Sequence, residues 1–210
     1  MLVSEVMLQQ TQVSRVVPVY ERFVDRFPTP AACATAPVGE VVRAWAGLGY
    51  NRRAVNLHRT ATVVVERHGG RLPADLPGLL ALPGIGPYTA RAVLAFAFEA
   101  DVAVLDTNVA RVLARALGGR AAQSEADGLV PNGRAWTWNS ALLDFGATVC
   151  TASRPRCDRC PITSVCSWRK AGHPEPDPAT VSRESPFAGS DRQGRGRLVD
   201  ALRRGRIRTS

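Results

Sequence analysis

Apolar residues recur along this chain at helical rather than alternating intervals. Val13, Val16, Val17, Val19, Tyr20, Phe23, Val24 and Phe27 fall at the i, i+3, i+4 spacing that lines one face of a helix. Pro18 is expected to kink that helix, and Pro28 and Pro30 to end it. Further stripes bounded by Gly, Pro or Asn predict helices over residues 38–46, 52–67, 76–81, 87–98, 107–117 and 134–149. No stretch sustains a period of two and no internal repeat is detectable, so the expected fold class is all-α.

The chain has 210 residues and is 45% hydrophobic, enough to bury one substantial core or two modest ones. No apolar run is long enough to span a bilayer, which favours a soluble, cytoplasmic protein. A net charge of +9 and a pI near 10.3 point to a polyanionic partner, nucleic acid before others. Much of that charge is terminal: between Arg183 and Arg208 eight arginines stand against Glu184, Asp191 and Asp200. Residues 171–190, with Pro174, Pro176, Pro178 and Pro186, have linker composition. The arginine-rich arm reads as solvated, with room for a short helix near residues 198–202.

Four of the five cysteines, Cys150, Cys157, Cys160 and Cys166, follow the pattern C-x6-C-x2-C-x5-C. Loops of this length let four thiolates converge at small closure cost, on an iron-sulfur cluster or on zinc. Four-cysteine zinc sites usually use two C-x2-C pairs, and only Cys157 and Cys160 form one here, so the spacing favours a 4Fe-4S cluster. An odd cysteine count and the lack of a signal-like opening argue against a disulfide framework. Cys33, far from the others, reads as a small packed hydrophobe.

A second informative segment is Leu79-Leu80-Ala81-Leu82-Pro83-Gly84-Ile85-Gly86-Pro87-Tyr88-Thr89-Ala90, which predicts two helices joined by a Pro-Gly-apolar-Gly turn. Gly84 and Gly86 are expected to adopt backbone angles closed to other residues, freeing amides at the second helix's N-terminus to hold a phosphate. Such contacts position DNA without reading its sequence.

Together with Asp106 in Val104-Leu105-Asp106-Thr107-Asn108-Val109 and the cysteine spacing, this hairpin resembles the helix-hairpin-helix DNA glycosylase superfamily. Within it, Ser4-Glu5-Val6-Met7-Leu8-Gln9-Gln10-Thr11-Gln12-Val13 and Trp45-Ala46-Gly47-Leu48-Gly49-Tyr50 resemble the adenine glycosylase (MutY) family, which removes adenine mispaired with oxidised guanine. The resemblance covers roughly residues 3 to 168. It implies a two-lobed fold: a six-helix-barrel module over 1–102 with the hairpin at 79–95, an iron-sulfur module over 103–170, and a linker and basic tail over 171–210. It also implies a monomer acting on mismatched double-stranded DNA in a bacterial cytoplasm, associated with the nucleoid through DNA.

Cleaving an N-glycosidic bond near neutral pH needs a proton for the departing base and negative charge beside a cationic sugar. Glu5 and Asp106 are the candidate pair. Apolar surroundings would raise the pKa of Glu5 so that it donates to an imidazole-ring nitrogen of adenine, while Asp106 stays ionised beside the sugar. The ordinary alternatives are a Glu5 that complements the dipole of its helix and an Asp106 that caps one.

The resemblance assigns the remaining roles. Superfamily members that also cut the strand carry a Schiff-base lysine in the hairpin helix; Tyr88 stands there, and Lys170, the one lysine of the sequence, lies beyond the cysteines. A monofunctional enzyme is therefore expected, with Tyr88 bonded near the sugar or a carboxylate. Asn108 would orient a carboxylate or the attacking water. Gln10 and Tyr50 would enter the duplex, with Gln9 a further wedge candidate and Leu8 and Thr11 near the base pocket or opposite strand. For Gln9, Gln10 and Thr11 the alternative is an exposed polar helix face. Arg154 and Arg156 would face the DNA backbone from a loop fixed by the cluster. Ser140 and Asn51 depart from the family pattern, and residues 171–210 are too short and polar for its Nudix-like domain. A thymine or uracil mismatch glycosylase and a catalytically impaired iron-sulfur DNA-binding protein remain alternatives.

Overall fold

A computed structural model describes residues 1–173 and 188–204, and among these there is no strand. The helices are α1 (Leu2–Leu8), α2 (Val13–Arg26), α3 (Pro30–Thr35), α4 (Val38–Ala44), α5 (Arg52–His68), α6 (Leu76–Leu80), α7 (Pro87–Ala97), α8 (Thr107–Leu117), α9 (Gln123–Gly128), α10 (Ala135–Thr148), α11 (Ser167–Lys170) and α12 (Asp191–Arg203). The six predicted segments from residue 38 onward coincide with α4, α5, α6, α7, α8 and α10 to within two residues at each end.

The differences have local causes. Pro30, expected to close the second helix, opens α3 instead: it occupies the first helical position, where a missing N–H costs nothing, and Thr29 caps the turn by accepting from Ala32 N at 3.1 Å. Pro18 lies inside α2, which is assigned as one helix through it. The expected short helix near 198–202 is part of the longer α12, capped by Ser190. Residues 174–187, most of the expected linker, lie outside the described residues.

Two hydrophobic clusters form. The larger takes Met7, Val16, Phe23, Val41, Trp45, Leu57, Val64, Leu79, Leu82 and Ile85 from the N-terminal helices and the hairpin. Trp45 is fully buried and meets Phe23 edge-on, with ring centroids 5.8 Å apart; burial of this kind typically contributes about 3–5 kcal/mol per large aromatic. The smaller cluster gathers Val104, Val109, Leu113, Ala126, Val130 and Ala135.

Helix α7 belongs to both. Ala90, Val93 and Leu94 face the first cluster, and Ala92 and Ala95 the second. Apolar residues on two faces of α7 match its packing against two clusters, while Arg91 on it pairs with Asp127.

Within the second cluster Asn139, fully buried, spends its amide on backbone. It donates to Val102 O and Ala135 O, each at 2.9 Å, and accepts from Val104 N at 2.8 Å. Because buried polar groups need partners, this clamp fixes the extended chain that leads into Asp106.

Candidate active site and cluster cradle

Asp106 is the N-cap of α8. Its Oδ1 accepts from Val109 N at 2.6 Å and its Oδ2 from Asn108 Nδ2 at 3.1 Å. Asn108 Oδ1 accepts in turn from Arg111 Nη2 at 2.8 Å. The capping alternative and the site role are thus compatible: one carboxylate closes the helix and is aimed by it. Close approach of α10 to this turn requires Gly146, where a Cβ would lie 2.8 Å from Asn108 Cβ and 3.1 Å from its backbone.

Glu5 lies on α1 between the buried Leu2, Val6 and Met7. Burial raises its pKa, and the amino terminus of Met1 pulls weakly the other way. Tyr88, at the start of α7, connects the two acids. Burial pushes its phenol up to about 12, and the charges of Glu5 and of Asp106 both add to the rise. Glu5 on α1 and Asp106 on α8, a hundred residues apart in sequence, thus both bear electrostatically on Tyr88.

Around this centre the hairpin is pinned from behind: Thr60 of α5 donates to Pro83 O at 2.8 Å, and Ile85 is buried. Gly84 has φ +77°, and a Cβ there would lie 2.5 Å from Asn56 Nδ2. Gly86 corrects the expectation. It sits at φ −93°, ψ 174°, extended backbone open to any residue, and a Cβ there would meet nothing within 4 Å. Its smallness leaves open room at the N-terminus of α7, where phosphate is favoured.

The candidate DNA-contacting residues of the two loops divide. Leu8, Gln10 and Tyr50 are exposed, and Gln10 and Tyr50 adopt left-handed backbone at φ 53° and 46°. Gln9 and Thr11 turn inward: Gln9 Nε2 donates to Thr89 Oγ1 at 3.1 Å, while Thr11 Oγ1 accepts from Arg53 at 3.0 Å. Both are half-buried and bonded to neighbouring helices, so they do not form an exposed polar face. Arg154 and Arg156 are exposed on the 151–156 loop, as expected.

The four cysteines line one pocket with Val112, Phe145, Ile162 and Trp168. Burial pushes the Cys160 thiol up, and Cys150, Cys157 and Cys166 act in the same direction. Thr163, which shares the pocket, has a buried Oγ1 without a partner. Arg115 stacks on Trp168 at 4.4 Å and reaches Cys150 Sγ at 3.4 Å. Thiol donors, an orphan hydroxyl and a cation fit a sulfide-bearing anionic cluster. Among the described residues no three His, Cys, Asp or Glu are spaced to hold a single metal ion. Cys33 is buried among apolar residues.

Some functional residues gave no sequence signal. Arg53, Arg111 and Asn139 act through backbone acceptors distant in sequence, and arginine spacing on a helix does not reveal such partners. The ion pair of Arg91 with Asp127, at 2.7 Å, ties the hairpin helix to α9 in the same way.

Residues 3–127 match the family model for the HhH-GPD superfamily of base excision DNA repair proteins, and residues 150–166 the iron-sulfur binding domain of endonuclease III. Fold and site thus define a DNA repair protein of the helix-hairpin-helix class that holds a 4Fe-4S cluster. Among relatives, the chain is 50% identical over 212 residues to the adenine DNA glycosylase of Mycolicibacterium smegmatis, covering 96% of this chain and 71% of that protein. It is 49% identical to that of Mycobacterium tuberculosis, with 96% and 69% coverage, and 42% identical to the human one, with 80% and 33%. The chain belongs to the adenine DNA glycosylase family.

Among solved structures it is similar to a thermostable thymine-DNA glycosylase (TM-score 0.77, 32% identity, 81% of this chain and 83% of that one). It is also similar to endonuclease III trapped covalently on DNA in an estranged-adenine complex (TM-score 0.72, 26% identity, 81% and 84%). Among the described residues no helix is long and apolar enough to cross a membrane.

Proposed function

We propose that the protein hydrolyses the N-glycosidic bond of adenine opposite 8-oxoguanine or guanine in duplex DNA and leaves the strand uncut. The observation that carries this reading is the Asp106 carboxylate, which caps α8 and is held by Asn108, in a chain whose residues 3–127 match the base excision repair superfamily. Glu5, whose pKa burial raises, donates as the acid to an imidazole-ring nitrogen of the extruded adenine. The bond between sugar and base breaks with its electron pair going to the base, and Asp106, aimed by Asn108, faces the cationic sugar. Water adds to that carbon, and its proton returns to the Glu5 carboxylate, so the enzyme is restored. Tyr88 bonds at the sugar or a carboxylate. It offers no amine, and Lys170 lies in α11 beyond the cysteines, so no Schiff base forms at the site.

Gln10, Tyr50 and Leu8 supply the exposed wedge; Gly84, Gly86, Arg154 and Arg156 supply contacts to the phosphate backbone. The cluster, when bound, fixes the loop that bears these arginines and stabilises that end of the fold. We place the enzyme in the cytoplasm as a monomer that finds its mismatch on chromosomal DNA. A labelled duplex carrying adenine opposite 8-oxoguanine, assayed with and without hot alkali, tests the reading. Product after alkali alone is expected; nicking without alkali, or excision of thymine opposite guanine in place of adenine, refutes it.

A further inference from the structure

Arg53, in the first turn of α5, binds no fewer than six acceptors on two separate loops. Nη1 donates to Val6 O at 2.8 Å, Met7 O at 2.9 Å and Gln9 O at 2.6 Å, the carbonyls at the end of the Glu5 helix. Nη2 donates to Thr11 Oγ1 at 3.0 Å, Leu48 O at 3.2 Å and Gly49 O at 3.3 Å. The guanidinium lies 5.5 Å from the ring centroids of both Trp45 and Tyr50. Trp45, buried, closes the second loop by donating from Nε1 to Gly49 O at 3.2 Å.

Such a concentration of charged donors on main-chain carbonyls is a matter of placement. The two loops it joins carry Gln10 and Tyr50, two of the four exposed non-glycine residues with left-handed backbone among the described residues, a conformation costly for most side chains. Strain of that kind persists only where surroundings enforce it, and Arg53 is the side chain bonded to both loops.

We propose that Arg53 is a positioning residue for base extrusion: it locks Gln10 and Tyr50 into one rigid wedge and registers that wedge on the helix that carries Glu5. Opening of the base stack and protonation of the base are thereby fixed relative to each other by a single planar cation. The proposal rests on the glycosylase reading of the site, but base extrusion is measurable without catalysis. Lysine cannot replace Arg53, because one ammonium with three protons cannot span both loops.

The test compares R53K with wild type, each first shown to hold its iron and to melt cooperatively. 2-Aminopurine placed beside the target adenine reports unstacking in the full duplex. Single-turnover excision is measured on adenine paired with 8-oxoguanine and on adenine already unpaired in a bulge. The expected result is loss of most of the fluorescence rise, and an excision rate that falls at least tenfold more on the paired than on the unpaired substrate. A normal fluorescence rise, or equal losses on both substrates, overturns the proposal.

Should R53K fail to hold iron or fold, T11V, which removes one of the six acceptors, is expected to show the same imbalance on a smaller scale. Equal losses in T11V likewise overturn the proposal. If wild type excises nothing, the glycosylase reading fails, while the fluorescence comparison still decides the role of Arg53.

Discussion

Arg111 donates through Nε to the backbone carbonyl of Cys150 at 2.9 Å, so the helix capped by Asp106 also holds the first cysteine of the cluster loop. The same guanidinium reaches Gly146 O at 2.7 Å and, through Asn108, the carboxylate itself. Removing such charged bonds costs about 1.5–3 kcal/mol. R111Q is expected to slow single-turnover excision roughly ten- to a hundredfold, with DNA affinity nearly unchanged, and to lower the iron-to-protein ratio. A normal rate with normal iron content would contradict the coupling.

Glu5→Gln separates chemistry from stability. Loss of the proton donor is expected to reduce excision by about 10²–10⁴-fold. In the proposed mechanism the working form of Glu5 is the acid. Since burial raises its pKa, the rate should fall as pH rises through a value above the ordinary carboxylate range. Folding follows the same sign. The native state favours the protonated carboxyl, so that stabilisation is complete below the unfolded pKa and lost as pH rises through the folded one. Melting curves at pH 5 and pH 8 should show E5Q relatively more stable at the higher pH.

Two glycines of the hairpin are expected to respond differently. G84A forces a side chain into φ +77° and against Asn56, and should lower stability by about 1–2 kcal/mol. G86A meets ordinary backbone and empty space, so its melting temperature should stay close to wild type. Its DNA affinity should nevertheless fall, equally for matched and mismatched duplexes, because a methyl group enters the room left for a phosphate. Unchanged affinity in G86A would argue against a phosphate there.

G146A places a methyl 2.8 Å from Asn108 Cβ and should cost about 1–3 kcal/mol through overpacking. The displaced turn is the one that aims Asp106. Excision should therefore fall further than thermal melting alone explains, when both are measured below the melting transition.

Cys157→Ser removes one cluster ligand. Visible absorbance and iron content should drop, and the C-terminal lobe should become protease-sensitive before the hairpin lobe. Colourless wild-type protein with stoichiometric zinc would overturn the assignment of the cluster.

Much of this was legible in the chain. Helices α4 to α8 and α10 followed from apolar spacing, and Asp106, read from the sequence as a candidate cap, caps α8. The six-residue α3 and α9 and the four-residue α11 did not follow, since they lack a run of large apolar residues such as the leucines that marked the similarly short α6 before the Pro-Gly turn. Contacts across sequence distance were also hidden. That Thr11 faces Arg53, or that Gln9 meets Thr89, depends on how α1 lies against α5 and α7, and no local pattern encodes it. The two carboxylates were nameable because their neighbours form motifs; the arginines and Asn139 that orient them bond to main chain, which has no signature.

Helix α7 is built into both hydrophobic clusters, with Tyr88 at its head. Spreading the two lobes would strip apolar surface from one cluster or the other, so the frame that carries the acids resists flexing. On the proposed function, the work of fitting then falls on the nucleic acid, which would have to kink and give up a base to a jaw whose gape is already set.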